Sequence, residues 1–160
     1  MRAAVITIST SKAAGEGVDE SGPLLAELAR AVGAEEVERD LIADDRELIE
    51  QRLRHWCDSE RCDLVLTTGG TGFSPTDVTP EATLAVIERG APGIAEAIRA
   101  ASREHTRHWM LSRAAAGIHG RSLIVNFPGN PDSVRQTAEP LADALAHAVA
   151  LLGGRRVDHS

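Results

Sequence analysis

The stretch from Leu64 to Glu81, LVLTTGGTGFSPTDVTPE, contains a short apolar run, a glycine-rich loop and the start of a helix. Leu64–Thr67 is too brief for a helix and is followed by turn residues, so it predicts a buried strand. Thr79-Pro80-Glu81 is typical of a helix N-terminus, because it offers a capping hydroxyl, a proline and an acidic first turn. A strand that leads through a loop into a helix is the repeating unit of α/β folds.

Strand and helix patterns alternate on both sides of this stretch. The predicted strands are Ala3–Ser9, a weak edge strand at Val37–Ile42, Leu64–Thr67 and Leu123–Phe127, and the predicted helices are Pro23–Val32, a segment after Asp44 that includes Leu48 to Trp56, Pro80–Arg89, Ile94–His105 and Pro131–Leu152. Such alternation favours an α/β fold with one mostly parallel sheet covered by helices on both faces. No repeat or linker divides the chain, so we expect one domain over residues 1–160 with a loose tail at residues 153–160.

The composition excludes several classes of function. The chain has 160 residues, a net charge of −7 and only 2% aromatic residues, which leaves neither a basic face nor stacking side chains for nucleic acid. No apolar run approaches the roughly 18–20 residues that span a bilayer, and no signal peptide is recognisable. We therefore expect a cytoplasmic protein with no nucleic-acid or membrane partner. Cys57 and Cys62 match neither a redox nor a zinc motif and are expected to be reduced thiols.

The glycine-rich loop carries the strongest functional signal. Ligands of open α/β sheets bind beyond the carboxyl ends of the strands, where this loop lies. Gly69, Gly70 and Gly72 let a bent backbone approach a ligand, while unpaired N–H groups, threonine hydroxyls and the next helix N-terminus favour an anion. The pattern is neither a Walker A loop nor GxGxxG. It predicts a phosphate or carboxylate site, and the alternative is a tight turn without a ligand.

Two other loops follow predicted strands at the same edge of the sheet. In the pair Asp44-Asp45, one residue is expected to cap the next helix. Asp44 also shares its sheet edge with Asp77, and two carboxylates beside a phosphate site suit Mg²⁺. In Asn126–Pro131, Asn130 is a candidate cap for the last helix, and the spacing alone leaves open whether this loop contacts a ligand or is only a rigid turn.

Other polar residues give weaker signals. The six histidines show no metal-binding spacing, and the serines include no GxSxG motif, so neither a zinc hydrolase nor a serine hydrolase is supported. Most of the arginines are expected on solvated helix faces. Arg113 is the exception, because its position near a strand edge would let it meet a phosphate.

Four segments together resemble the MogA/MoaB family of molybdenum cofactor biosynthesis, which includes a domain of gephyrin. They are TTGGTGFSPTDVTPEAT at Thr67–Thr83, APGIAEAIR at Ala91–Arg99, LSRAAAGIHG at Leu111–Gly120 and NFPGNP at Asn126–Pro131. The resemblance spans nearly the whole chain. It implies a three-layer α/β/α molybdopterin-binding fold, a homotrimer, and an enzyme that uses ATP and Mg²⁺ to adenylylate molybdopterin with release of pyrophosphate.

The resemblance also assigns site residues. Asp77 and Asp44 correspond to the catalytic, metal-binding aspartates of the family, and the nucleotide site is expected at Ser9 and at the loop Pro128, Gly129, Asn130 and Pro131. The residues implied to bind the pterin substrate are Thr68, Gly69, Gly70, Thr71, Gly72, Ser102, Ser112 and Arg113. The chain departs from the family pattern at two points: no Asp follows Ser9, and Ala43 replaces a common Pro.

Two alternatives to an enzyme have the same fold. One is a MoaB-type protein that binds or carries molybdopterin without catalysis, and the other is a trimeric scaffold module. Retention of both Asp44 and Asp77 favours the enzyme, since a carrier has no evident need for a metal-binding pair.

Overall fold

A computed structural model describes residues 1–155 as three layers, with a six-stranded sheet between two layers of helices. In chain order the elements are β1 (Arg2–Ile8), α1 (Thr10–Ala13), α2 (Ser21–Val32), β2 (Glu36–Ile42), α3 (Arg46–Arg54), a π-helical turn (His55–Ser59), β3 (Leu64–Thr68), α4 (Thr79–Val86), β4 (Arg89–Gly90), α5 (Pro92–Ser102), a 3₁₀ turn (Trp109–Leu111), β5 (Ala116–His119), β6 (Ser122–Phe127) and α6 (Pro131–Leu152). The predicted α/β/α fold class is confirmed.

The sheet has the strand order β2-β1-β3-β6-β5-β4. The first four strands are parallel, whereas β5 is antiparallel to β6 and β4 is antiparallel to β5. The four parallel strands are the four that the sequence predicts, and β2 is an edge strand as expected. The prediction of only four strands was wrong, since it missed β4 and β5.

Alternate residues of the central strands pack on opposite faces of the sheet. Val5, Leu66 and Val125 belong to the core under α2, α5 and α6, whereas Ile6, Val65 and Ile124 belong to the core under α3 and α4. Each central strand is therefore buried on both faces, which explains the uninterrupted apolar runs Leu64–Leu66 in β3 and Leu123–Val125 in β6.

The helix boundaries differ from the predicted ones at several points. The helix predicted at Pro80–Arg89 ends at Val86, because Ile87 is extended and leads into β4, and the loop predicted after β1 contains the single turn α1. A Cβ on Gly117 of β5 would lie 2.6 Å from Cδ1 of Ile87, so glycine makes room for this change of direction. The helix predicted from Pro23 begins at Ser21, the one predicted at Ile94–His105 covers Pro92–Ser102, and the one predicted up to Trp56 changes to π-helical geometry at His55.

The C-terminal end of the chain is described only up to Arg155. The tail predicted at residues 153–160 therefore lies mostly outside the described residues, and residues 156–160 carry no structural statement. Within residues 1–155, none of the helices combines the length and the apolar character needed to cross a membrane.

Candidate functional site

The four parallel strands end at one edge of the sheet, and their following loops meet there. The register pairs Thr68 with Thr7 and with Phe127, and it pairs Ile8 with Ile42. The loops after β1, β2, β3 and β6 therefore leave the sheet side by side. This edge is where ligands bind in open α/β sheets.

Three of these loops are in direct backbone contact. Gly69 has a φ of +100°, and a Cβ there would lie 2.2 Å from the carbonyl oxygen of Ile8. A Cβ on Gly129 would lie 3.2 Å from Cα of Gly69. The Thr68 hydroxyl donates to the Pro128 carbonyl at 2.7 Å, and it is buried. The floor of the site is consequently made of backbone packed on backbone.

The loop after β3 presents a row of unpaired donors. Within residues 1–155, the backbone N–H groups of Gly70, Thr71 and Gly72 have no hydrogen-bond acceptor. Successive free N–H groups in a bent loop form a concave surface that binds anions. The expected threonine donors are different: the hydroxyls of Thr68 and Thr79 donate to the carbonyls of Pro128 and Gly69, so they hold the loop together.

Arg113 braces this loop from behind. Its Nε donates to the Gly72 carbonyl at 2.8 Å, its Nη2 donates to the Asp77 carbonyl at 2.8 Å, and its Nη1 pairs with the Glu81 carboxylate. The Arg113 backbone N–H also donates to the Thr71 carbonyl, at 2.8 Å. The loop carbonyls are thus engaged by Arg113. In the structure the Arg113 guanidinium contacts the protein backbone and a carboxylate, where the sequence suggested a phosphate.

The two aspartates both reach the glycine loop. A Cβ on Gly70 would lie 3.1 Å from Oδ1 of Asp44, and a Cβ on Gly72 would lie 2.9 Å from Oδ2 of Asp77. Asp44 and Asp77 are half-buried. The structure therefore brings the two carboxylates to the same loop, although they are 33 positions apart in the chain.

Each aspartate is fixed on one side and open on the other. Oδ2 of Asp44 accepts from the Thr10 N–H and hydroxyl at 3.0 Å each, and Oδ2 of Asp77 accepts from the Ser74 N–H at 3.0 Å. The second oxygen of each carboxylate accepts no hydrogen bond from residues 1–155. No group of three or more His, Cys, Asp or Glu side chains within the described chain is placed to hold a metal ion.

Three polar residues in the loops of this edge cap helices. Asp45 caps α3 by accepting from the Leu48 N–H at 3.0 Å, which leaves Asp44 free to face the loop. Asn130 caps α6 as predicted, because its Oδ1 accepts from the N–H groups of Asp132 and Ser133. Ser9 accepts from the Lys12 N–H and caps α1.

The two predicted pterin-side serines lie at the two ends of one segment. Ser102 ends α5, where its hydroxyl donates to the Ile98 carbonyl at 3.0 Å. Arg99, one turn earlier in α5, donates to the carbonyl oxygens of Ser112 and Ala114 at 3.1 and 3.0 Å. Arg99 thereby connects the Ser112 end of the segment to helix α5, which carries Ser102. The next residue after Ser112 is Arg113, which contacts the glycine loop.

Sequence reasoning missed two polar residues behind the site, Asp19 and Ser21. Asp19 accepts from the Thr7 hydroxyl, the Gly22 N–H and Arg39, and Ser21 donates to the Gly129 carbonyl. The only local signal was an aspartate and a serine just before Pro23, and helix α2 begins at that serine.

The groups with shifted pKa values lie away from this edge. Burial raises the pKa of the Cys57 and Cys62 thiols to about 11. Burial lowers the pKa of His119, but hydrogen bonds to the Val86 carbonyl and the Asp58 carboxylate outweigh it, so the pKa lies above its ordinary value. Both cysteines are free thiols, as expected.

Comparisons with known proteins identify the family and the fold of the chain. The family model of the probable molybdopterin binding domain matches residues 4–147. The chain is 40% identical over 151 residues to the molybdopterin adenylyltransferase of Helicobacter pylori strain J99, which covers 92% of this chain and 86% of the relative. It is 39% identical over 150 residues to the molybdenum cofactor synthesis protein cinnamon of Drosophila melanogaster, which covers 93% of this chain but only 25% of that protein. The crystal structure of the molybdopterin biosynthesis enzyme MoaB from Thermus thermophilus superposes with a TM-score of 0.86 at 37% identity, covering 98% of this chain and 99% of that one.

Proposed function

The chain belongs to the probable molybdopterin binding domain family, and we propose that it is an enzyme of molybdenum cofactor biosynthesis that adenylylates molybdopterin. In this reaction a phosphate oxygen of molybdopterin attacks the α-phosphorus of ATP. The bond from that phosphorus to the β-phosphate bridging oxygen breaks, and the products are adenylyl-molybdopterin and pyrophosphate. The attacking phosphate is already ionised, so no general base is needed.

The observation that carries the proposal is the row of unpaired N–H groups at Gly70, Thr71 and Gly72 between two carboxylates. Backbone N–H groups neutralise a phosphate without a lysine, which allows a chain with a net charge of −7 to bind a polyanion. The braced loop keeps these donors in place before the substrate arrives. Such preorganisation reduces the cost of bringing two anionic substrates together.

The two aspartates fit a divalent cation. Mg²⁺ in phosphoryl-transfer sites is usually held by one or two carboxylates together with substrate phosphates and water, so two carboxylates suffice. The open oxygens of Asp44 and Asp77 would hold the ion, which would neutralise charge on the triphosphate and on the departing pyrophosphate. The Thr10 and Ser74 contacts each hold one oxygen of a carboxylate, so the other oxygen would remain available to the ion.

The remaining residues divide between the two substrates. We assign Thr68, Gly69, Gly70, Thr71, Gly72, Ser102, Ser112 and Arg113 to the pterin side, with Thr68 and Arg113 acting through the loop that they hold. We assign Ser9, Pro128, Gly129, Asn130 and Pro131 to the nucleotide side, since these loops flank Gly69. On the family resemblance, we also propose a homotrimer in the cytoplasm, with a mass in solution three times the 17.0 kDa of one chain.

The test is a quantitative assay of pyrophosphate release with ATP, Mg²⁺ and molybdopterin. We expect pyrophosphate only when molybdopterin is present. Asp77→Asn keeps an acceptor for the Ser74 N–H but removes the charge, so turnover should fall by about 100-fold or more while molybdopterin still binds. Asp44→Asn should raise the Mg²⁺ concentration needed for half-maximal rate. Asp143→Asn, on the exposed side of α6, is the matched control.

Two results would contradict the proposal. If the wild-type protein binds molybdopterin but releases no pyrophosphate, the carrier alternative is correct. If Asp77→Asn and Asp143→Asn turn over at the wild-type rate, the assignment of Asp77 to catalysis is wrong.

A further inference from the structure

Asp19, a half-buried aspartate near the site, joins three elements of the fold. Its Oδ2 accepts from the hydroxyl of Thr7 at 2.7 Å and from Nη2 of Arg39 at 2.9 Å, and its Oδ1 accepts from the N–H of Gly22 at 2.9 Å. The Asp19 side chain is only 10% exposed. Because these partners belong to β1, β2 and α2, Asp19 fixes where helix α2 begins relative to the sheet.

Asp19 also fixes the position of Ser21, in the first turn of α2. Gly22 follows Ser21 directly, and a Cβ on Gly22 would lie 2.3 Å from Oδ2 of Asp19 and 2.6 Å from Oγ1 of Thr7. The backbone at Gly22 is therefore held against the Asp19 carboxylate. Ser21, which is 1% exposed, donates its hydroxyl to the Gly129 carbonyl at 2.7 Å.

The Gly129 carbonyl connects this network to the site. Gly129 packs on Gly69 so closely that a Cβ on Gly129 would lie 3.2 Å from Cα of Gly69. Gly69 is followed by Gly70, where the row of unpaired N–H groups begins. A shift of Gly129 therefore changes the space available to the loop that presents those groups.

We propose that Ser21, held in place by Asp19, is a positioning residue for the nucleotide loop at Pro128–Pro131 and for the glycine loop beside it. Neither side chain touches a substrate in this proposal. Ser21 acts through the Gly129 carbonyl, and Asp19 acts through Ser21. The kinetic part of the proposal rests on the proposed function, whereas the placement of the loops does not.

The kinetic test compares Ser21→Ala with Ser122→Ala. Ser122 is a matched control, because it is also buried and donates to a backbone carbonyl, that of Cys62 at 2.6 Å, but it lies at the opposite end of β6. We expect Ser21→Ala to lower kcat/KM for ATP about tenfold, mainly through KM. Ser122→Ala should leave both constants within about twofold of wild type, although it loses a similar hydrogen bond.

The second test does not depend on turnover. The Gly69 N–H donates to the Phe127 carbonyl at 3.2 Å, and the Thr79 N–H donates to the Gly70 carbonyl at 3.1 Å. Amide hydrogen exchange at both positions should become about fivefold faster in Ser21→Ala and unchanged in Ser122→Ala. If the wild type proves to have no adenylyltransferase activity, this measurement still decides whether Ser21 positions the loops.

The role of Asp19 is tested by coupling. Asp19→Asn should have a weaker effect of the same kind as Ser21→Ala, and the double variant should be no worse than Ser21→Ala alone, because both act through one contact. Asp40→Asn is the control. Asp40 follows Arg39 on strand β2, and like Asp19 it accepts hydrogen bonds from an arginine and from a second donor, here Arg52 and Trp56. Additive effects of Asp19→Asn and Ser21→Ala, or equal changes in Ser21→Ala and Ser122→Ala, would overturn the proposal.

Discussion

Replacement of Gly69 by alanine should destabilise the protein far more than the same replacement at Gly15. Both glycines have positive φ, +100° at Gly69 and +85° at Gly15. They differ in their surroundings. A Cβ at Gly15 would have no atom within 4 Å, whereas a Cβ at Gly69 would lie 2.2 Å from the Ile8 carbonyl oxygen. Comparison of the two variants therefore separates the cost of backbone strain from the cost of the close contact between two loops.

The expected magnitudes follow from these two contributions. A side chain at positive φ costs about 1–2 kcal/mol, and alanine returns about 0.4–1 kcal/mol because it restricts the unfolded chain, so Gly15→Ala should cost about 1 kcal/mol. Gly69→Ala has the same strain, and its Cβ would start 2.2 Å from the Ile8 carbonyl oxygen, so the two packed backbones must move apart until that distance reaches the 3.4 Å of ordinary contact. Such overpacking adds about 1–3 kcal/mol, and more where backbone atoms have to move.

The assay is equilibrium unfolding in urea, followed by far-ultraviolet circular dichroism at one fixed protein concentration. Gly69→Ala should be less stable than Gly15→Ala by about 2–3 kcal/mol, which corresponds to a difference in Tm of roughly 4–12 °C for a domain of this size. A fixed concentration is needed because association would add to the apparent stability.

Equal destabilisation of the two variants, within about 0.5 kcal/mol, would refute this reasoning. It would mean that the ends of β1 and β3 separate at little cost. The backbone contact among the three loops would then not be what holds the site floor in place.

Three other predictions address the loop brace and the shifted pKa values. Arg113→Lys should weaken molybdopterin binding about tenfold and make the glycine loop easier to cleave by a protease. The reason is that an ammonium group cannot contact two carbonyls and a carboxylate in the fixed geometry of a guanidinium group. Wild-type affinity in this variant would show that Arg113 does not hold the loop in place. Since the pKa of His119 is raised in the folded state, its contribution to stability is complete below the unfolded pKa of about 6.5 and is lost as the pH rises through the folded value. Wild type should therefore exceed His119→Gln in urea stability at about pH 5.5 more than at about pH 8.5, and a gap independent of pH would disprove it. Because burial raises the pKa of Cys57 and Cys62 to about 11, a disulfide reagent at pH 8 should modify both thiols only after unfolding, and rapid labelling of the native protein would show the burial to be wrong.

The sequence predicted the four parallel strands of the sheet because these strands depend on local patterns. Short apolar runs, the proline at the start of α4 and the Asn130 cap of α6 are each visible within a few residues. The antiparallel edge was missed because both strands are short: β4 has only two residues, both exposed, and β5 has only four residues, one of them Gly117. Glycine is a poor strand former, and its place in β5 is explained only by the approach of Ile87 and the Arg89 carbonyl.

The sequence predicted the residues that face the site, but not the residues that hold its loops in place. Asp44 and Asp77 could be paired because both follow predicted parallel strands, and the carboxyl ends of such strands meet at one edge. Asp19 could not be found in this way, since its contacts with Thr7 and Arg39 join segments that share no local signal. The brace by Arg113 was also hidden, because a lone arginine near a strand edge reads equally as a phosphate ligand or as a structural side chain.

The unpaired N–H groups at Gly70, Thr71 and Gly72 limit which mutations can remove anion binding from this site during evolution. A donor that belongs to the main chain is present whichever amino acid occupies the position, unless that amino acid is proline. Ordinary point mutations therefore cannot delete the anion contacts one at a time, as they can when a lysine or an arginine supplies them. Loss of the contacts requires a change in the path of the loop itself, through its glycines or through Arg113.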